Sequence, residues 1–190
     1  MLADWDRCFP NCEPIGYHLG VVFPERWVRF HSLPGSKRYP EGSAEYAEVL
    51  ARHNAILGQF TRPGTQVVLV TTGYSDSPVP SRHYPEVVAF DPGASPWRTV
   101  AMHLIEKGFH DPTYWHLFAS AWEWRPGVFD PLVRLVADDA VANVLVVAPD
   151  CGWVLHPYDG GMDVIAESPE ARQLLRARNS AWLPAREDGL

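Results

Sequence analysis

The stretch VANVLVVAPDCGWVLHPYDGGMDVIA, residues 141–166, is the clearest indicator of fold in this chain. It contains three runs rich in branched apolar residues, at 141–148, 153–158 and 162–166. Two short segments of turn-forming residues, PDCG and DGG, connect these runs. Runs of strand length joined by such tight connections are typical of consecutive antiparallel strands. The stretch therefore predicts a C-terminal antiparallel β-meander.

Further strands are predicted upstream of the meander. Residues 66–72 (QVVLVTT) form a β-branched run of the kind found in a strand that is buried on both faces. Residues 26–31 and 115–124 also have strand character, and weaker strand patterns cover residues 86–90 and 97–105. We therefore expect the meander to be part of a larger sheet.

Three helices are predicted between and after these strands. Ser43 is a suitable N-cap for a helix whose apolar side chains recur at spacings of three and four as far as Phe60. Asp130-Pro131 and Ser168-Pro169 each place a proline where the first turn of a helix tolerates it. The order strand, helix, strands, helix, meander, helix favours an α+β fold with a mixed or antiparallel sheet packed by three main helices.

The chain has the length of one domain. Its 190 residues predict a single α+β domain that spans residues 1–190. Residues 1–24, rich in proline, cysteine and aromatic side chains, predict an irregular N-terminal arm packed on the body of the domain. Residues 184–190 are polar and predict a frayed tail.

The net charge of −7 limits the classes of partner. Nucleic-acid binders draw much of their affinity from basic residues that neutralise phosphates, so we expect no nucleic-acid partner. An acidic surface suits a basic protein partner instead. No apolar run approaches the roughly 18 residues of a membrane span, and the first residues lack the apolar stretch of a signal peptide. We therefore expect no membrane association and a cytoplasmic location.

A basic, polar segment, RFHSLPGSKRY at residues 29–39, stands out in this acidic chain. Six of its side chains could bind a ligand: Arg29, His31, Ser32, Lys37, Arg38 and Tyr39. Guanidinium and hydroxyl groups mounted at the end of a strand can hold a phosphate or a carboxylate. Alternatively, the basic residues pair with the nearby Glu41, Glu45 and Glu48, and the loop binds nothing.

The hairpin HPYDGGMD, residues 156–163, carries three polar side chains that turn formation does not explain: His156, Tyr158 and Asp163. The DGG sequence accounts for the turn itself. Because side chains alternate along a strand, His156 and Tyr158 share one face. If that face is the inner one, a carboxylate, an imidazole and a phenol approach one another in a cleft. They could then perform acid–base catalysis or form a structural hydrogen-bond network, and the pattern leaves both open.

Metal, cofactor and reactive-thiol sites lack their usual signatures. Cys8, Cys12 and His18 do not have the paired ligand spacing of a zinc site. Cys151 follows Asp150, whose negative charge disfavours a thiolate. The glycine pattern of a phosphate loop and the GxSxG elbow of a serine hydrolase are both absent from the sequence. We therefore expect no metal and no cofactor.

Two parts of the chain resemble uncharacterised bacterial proteins. WVRFHSLPGSKRYPEG at residues 27–42 and EYAEVLARHNAIL at residues 45–57 are similar to a group of hypothetical bacterial proteins. WVLHPYDGGMDVI at residues 153–165 resembles the closing hairpin of a bacterial domain family of unknown function, which tends to read YDDRGMDVI. The resemblance implies a compact α+β fold and brings no activity with it.

Two functional hypotheses follow from these observations. The first is a non-enzymatic cytoplasmic binding protein of the toxin-neutralising, immunity type, whose acidic, aromatic-rich surface binds a basic protein. The alternative is an enzyme or small-ligand binder that acts on a phosphorylated or otherwise anionic substrate. This alternative uses residues 29–39 for binding and residues 156–163 for proton transfer, so it requires both segments to meet in one cleft.

Overall fold

An antiparallel sheet forms the centre of the structure, a computed structural model that describes residue 2 and residues 4–185. Seven strands are found in these described residues: β1 (Trp27–His31), β2 (Gln66–Ser75), β3 (Ser95–Ala101), β4 (Tyr114–Glu123), β5 (Leu145–Val147), β6 (Val154–Tyr158) and β7 (Gly161–Ile165). They lie in the order β1-β7-β6-β5-β2-β4-β3, and every neighbouring pair is antiparallel. The predicted α+β fold is confirmed. Of the two kinds of sheet that the sequence left open, mixed and antiparallel, the structure has the antiparallel one.

The predicted meander is confirmed as β5, β6 and β7. Tyr158 pairs with Gly161 at the end of the β6–β7 hairpin, which leaves a two-residue turn of Asp159 and Gly160. The sheet continues on each side of the meander, with β1 beside β7 and β2 beside β5. Strand β2, predicted to be buried, lies in the interior of the sheet and runs on to Ser75, because its pairing with β4 continues to Tyr114.

Seven α-helices occur in the described part of the chain: α1 (Trp5–Cys8), α2 (Gly16–Val22), α3 (Gly42–Phe60), α4 (Pro85–Phe90), α5 (Met102–Ile105), α6 (Asp130–Ala137) and α7 (Pro169–Arg178). The three predicted main helices are α3, α6 and α7. The Ser168 hydroxyl caps α7 by accepting a hydrogen bond from the Ala171 backbone N–H at 3.2 Å. Such caps satisfy backbone groups that the helix itself leaves unpaired.

Of the two weak strand predictions, one is wrong and the other is confirmed only in part. Residues 86–90 belong to the helix α4. The segment at residues 97–105 is a strand only as far as Ala101, after which α5 begins. Pro85 lies in the first turn of α4, where its fixed φ suits a helix. The β-branched residues Val87 and Val88 suggested a strand, but Val87 is instead buried against the core from the helix.

Helices α3, α6 and α7 cover one face of the sheet. The core between them and the strands includes Phe30, Ile56, Leu69, Leu132 and Val164, all of which are buried. Burial of side chains of this size stabilises a fold by about 1.5–3 kcal/mol each. This face is closed by apolar packing.

The N-terminal arm covers the opposite face, and the prediction that it is irregular is wrong. It forms α1 and α2, and its residues Trp5, Phe9, Ile15 and Leu19, which lie in or directly beside these helices, are completely or almost completely buried. These side chains pack on the strand residues that point away from α3, in a second apolar core. Local sequence did not predict the helices because each is short and stabilised by tertiary packing rather than by propensity.

No helix in the described residues is long and apolar enough to cross a membrane. Of the predicted polar tail at residues 184–190, the part from residue 186 onward lies outside the described residues.

Candidate functional site

Three neighbouring strands bring polar side chains together at one end of the sheet. His156 on β6 pairs with Asp163 on β7, and Asp163 in turn pairs with Arg29 on β1. Residues directly opposite one another in antiparallel strands have their side chains on the same face. Arg29, Asp163 and His156 therefore form a row across the sheet, on the face that the arm covers.

Helix α2 and the loop after β1 enclose this row in a cleft of about 490 Å³. Its polar walls are Arg29, His31, Arg38, His156, Tyr158 and Asp163. Tyr17 closes the side formed by α2, and Ser36 lies on the side formed by the loop. The cleft thus contains side chains from both polar segments that the sequence singled out.

The Arg29–Asp163 pair is the electrostatic centre of the cleft. Arg29 donates from Nε to Asp163 Oδ1 at 2.8 Å and from a terminal nitrogen to Oδ2 at 2.9 Å, a bidentate arrangement. The guanidinium also lies over the Tyr158 ring, 4.8 Å from its centroid. Burial acts to lower the pKa of Arg29, but the hydrogen bonds and charge of Asp163 outweigh it and raise the pKa. A buried ion pair of this kind is weak evidence for stability and fits a functional site better.

A second ion pair joins the loop to the hairpin turn. Arg38 donates from Nε to Asp159 Oδ2 at 2.5 Å and lies 5.5 Å from the centroid of the Tyr39 ring. The Arg38 side chain is 64% exposed while that of Asp159 is 7% exposed, so much of the guanidinium faces solvent at the cleft. The hydrogen bond to Asp159 raises the pKa of Arg38.

His156 is buried against the arm and has an unused hydrogen-bonding atom. The residue is 8% exposed, and its Nδ1 has no hydrogen-bond partner among the described residues. The backbone of Gly16 lies on the imidazole: a Cβ at Gly16 would come within 2.2 Å of the ring. Buried polar atoms are normally hydrogen-bonded, and this nitrogen is one of the exceptions in the described part of the chain.

The titratable groups around the row are neutral apart from the ion pairs. Burial lowers the pKa of His156, with a further decrease from Arg29 that the charge of Asp163 opposes. Burial likewise lowers the pKa of His31 and raises that of the Tyr158 phenol. The cleft therefore offers neutral imidazoles and a protonated phenol, which can each donate or accept a hydrogen bond.

Asn143 holds the arm at the position that completes the cleft. Its Oδ1 accepts the Gly16 backbone N–H at 2.8 Å, and its Nδ2 donates to the Pro14 carbonyl at 3.1 Å and to Thr72 Oγ1 at 2.9 Å. The residue is buried and has a φ of 51°, a conformation that asparagine adopts more readily than most residues. These bonds fix Gly16 over His156 and place Tyr17 at the cleft wall.

The other predicted binding residues lie outside the cleft walls. Lys37 donates to both carboxylate oxygens of Glu45, at 2.8 and 2.7 Å, which is the local pairing that the sequence left as an alternative. Ser32 is buried, and Tyr39 is half exposed beneath Arg38. Of the six predicted binding residues, Arg29, His31 and Arg38 line the cleft.

Sequence reasoning missed three contributors to the cleft. Tyr17 and Gly16 belong to the arm, and Asp159 was explained as part of the turn alone. Gly16 and its anchor Asn143 are 127 residues apart, so no local pattern connects them. Asp159 and its partner Arg38 are 121 residues apart, so no local pattern connects them either.

The described residues contain no group of three or more His, Cys, Asp or Glu side chains that could hold a metal ion. His18 instead contacts Glu106 at 2.5 Å, and Cys8 and Cys12 are free thiols.

Acidification is expected to destabilise the domain in part through His156. Because burial lowers the pKa of this imidazole in the folded state, the unfolded chain binds the proton first as the pH falls below the ordinary value of about 6.5. The free energy of unfolding should therefore decrease from pH 7 to pH 5, with His156 contributing up to about 1.4 kcal/mol per pH unit. Urea denaturation across this range measures the slope.

His156→Gln should reduce that slope, and His110→Gln, a change at an exposed histidine, serves as the control. Equal slopes for His156→Gln and the unchanged protein would show that His156 does not remain neutral in the folded state.

A family model described as Domain of unknown function (DUF3885) matches residues 15–187. No curated protein and no solved structure matches the chain. The match includes both segments that resemble an uncharacterised family, so that resemblance is confirmed. It begins at Ile15 and thus contains α2 and every residue of the cleft, whereas α1 lies before it.

Proposed function

The chain belongs to the family described as Domain of unknown function (DUF3885), and from that premise, which assigns no activity, we propose that the domain binds a small anionic ligand in the cleft. One observation carries the proposal: Arg29, Arg38 and the imidazole of His156 line the same cleft. These are groups that hold carboxylates and phosphates. The sequence had offered this function as the alternative to a protein-binding role.

The two ion pairs orient the arginines without using all of their donors. Arg29 contributes Nε and one terminal nitrogen to Asp163, and Arg38 contributes Nε to Asp159. A guanidinium has five N–H donors in a fixed plane, so each arginine retains donors for a ligand. Paired arginines of this kind are held in one orientation before the ligand arrives, which reduces the entropy lost on binding.

The net charge of −7 does not oppose such a ligand at this position. In the cleft the carboxylates of Asp159 and Asp163 are each paired with an arginine, so the local charges balance. An anion would therefore meet guanidinium N–H groups whose carboxylate partners are already engaged. The neutral imidazole of His156 can donate a further hydrogen bond without a change of charge.

Isothermal titration with inorganic phosphate tests the proposal. Arg38→Ala should weaken phosphate binding about tenfold, because it removes a charged hydrogen-bond donor from the ligand. Arg125→Ala is the matched control, since Arg125 is also exposed and ion-paired, to Glu123, at 2.6 Å. Phosphate binding that is absent, or that both variants weaken equally, would overturn the proposal.

A basic protein partner is the second candidate, and the surroundings of the cleft favour it. Tyr17 and Tyr39 are 43% and 47% exposed at the cleft rim, and the exposed carboxylates of Asp138 and Asp139 follow α6 close by. Aromatic side chains with acidic neighbours suit a basic surface. A domain that binds no phosphate but co-purifies with a basic protein, and loses it at high salt, would support this immunity-type role.

We also propose a cytoplasmic location. All three cysteines are free thiols, including the partly exposed Cys8, which suits a reducing compartment. Fractionation of cells that produce the protein tests this, and recovery outside the cytoplasm would contradict it.

A further inference from the structure

A second, smaller space opens directly beside the cleft. This annex has a volume of about 160 Å³. Tyr17, His156, Tyr158 and Asp159 line both the cleft and the annex. Because four residues are common to the two spaces, the annex adjoins the cleft.

The walls that belong to the annex alone are mainly apolar. They include Trp115, Val136, Val141, Ala142 and Pro157. Asn143 also lines it, but its side chain is occupied by the bonds to Gly16, Pro14 and Thr72. Apart from Asp139 at one side, the walls of the annex therefore favour an apolar group over a polar one.

The size and shape of the annex suit one ring. An apolar protein cavity of about 150 Å³ accommodates a benzene molecule. The rings of Tyr17 and Trp115 border the annex and meet edge to face, with centroids 6.5 Å apart. Aromatic side chains in that relation present both a ring face and a ring edge to a third ring, which are the favourable aromatic contacts.

From this juxtaposition we infer that the ligand of the cleft is a small anion that carries one apolar six-membered ring, such as an aryl phosphate or an aromatic carboxylate. The inference rests on the proposed function, because the anionic group occupies the cleft beside Arg29 and Arg38. The ring occupies the annex, between Trp115 and Pro157. His156, which lines both spaces, lies at the junction of ring and anion.

The experiment compares phenyl phosphate with inorganic phosphate by isothermal titration of the full chain. Burial of the ring in the annex should make phenyl phosphate bind about tenfold more tightly or better. Ala142→Leu places a larger side chain in the annex from an exposed loop position, so the fold should be retained. In this variant phenyl phosphate should bind no more tightly than phosphate, while phosphate affinity stays unchanged.

Ala51→Leu, at an exposed position of α3 outside the annex, is the matched control and should leave both affinities unchanged. Equal affinity for the two ligands in the unchanged protein would overturn the inference and leave the proposed function intact. An advantage for phenyl phosphate that survives Ala142→Leu would also overturn it, because the ring would then lie elsewhere. If neither ligand binds, both the inference and the proposed function fail.

Discussion

Replacing Asp163 by asparagine is expected to lower the free energy of unfolding by about 3 kcal/mol. The change keeps the size of the side chain but removes the charge that neutralises Arg29, which is held by two hydrogen bonds of 2.8 and 2.9 Å. Arg29 has only 21% of its side chain exposed, so its charge would remain largely out of water without a partner. Loss of one member of a buried ion pair is costly for this reason. Urea denaturation measures the effect.

Glu123→Gln provides the control for this prediction. It removes the carboxylate from the Arg125–Glu123 pair, whose side chains are 69% and 44% exposed. Exposed pairs contribute about 1 kcal/mol or less, so the change should be small. The double variant Arg29→Gln/Asp163→Asn should lose less stability than the sum of the two single variants, since neither charge is then left alone. A loss for Asp163→Asn as small as that for Glu123→Gln would contradict the prediction.

Gly161→Ala is expected to destabilise the domain by about 3 kcal/mol or more. A Cβ at this position would lie 2.2 Å from the Phe30 carbonyl oxygen and 2.8 Å from the Tyr158 hydroxyl. The nearer atom is backbone of the paired strand β1, so relief requires β1 and β7 to separate where they join the cleft. Thermal or urea denaturation should show the loss of stability, and titration with phosphate should show a loss of binding.

The neighbouring Gly160→Ala is the matched control. Its Cβ would meet the Tyr158 ring at 3.2 Å and Arg38 Cγ at 3.4 Å, and both side chains can shift slightly. Neither Asp159 nor Gly160 has a positive φ, so backbone strain does not add to the effect. We expect a loss below about 1 kcal/mol. Equal losses for the two glycines would show that the close approach to Phe30 is not what requires Gly161.

Part of the site, in the β6–β7 hairpin, could be predicted from the sequence. Strand periodicity placed His156 and Tyr158 on one face, and the turn residues set the register that puts His156 opposite Asp163. The turn was predicted correctly, but the reason for its second glycine was not. The sequence attributed both glycines to the turn, whereas Gly161 is required because a Cβ there would meet the backbone of β1.

The arm and α4 show where local patterns were insufficient. Both contain apolar residues whose spacing fits more than one element, and short helices have little intrinsic stability. Trp5 in α1 and Phe9 just after it are buried because they pack with β-strand residues far along the chain, such as Leu145 and Val154. Information of that kind is absent from any window of neighbouring residues.

The sequence alone determined the meander, its tight turns, the interior strand β2 and the Ser168 cap of α7, because these depend on apolar periodicity and on turn and cap residues close together in the chain. Only the tertiary structure determined the cleft. Arg29 and Asp163 are 134 residues apart, and Gly16 and Asn143 are 127 apart. Their contacts depend on which strands become neighbours and on where the arm docks. The order of the strands and the position of the arm are set by the packing of the two apolar cores as a whole. A local sequence pattern does not encode that packing.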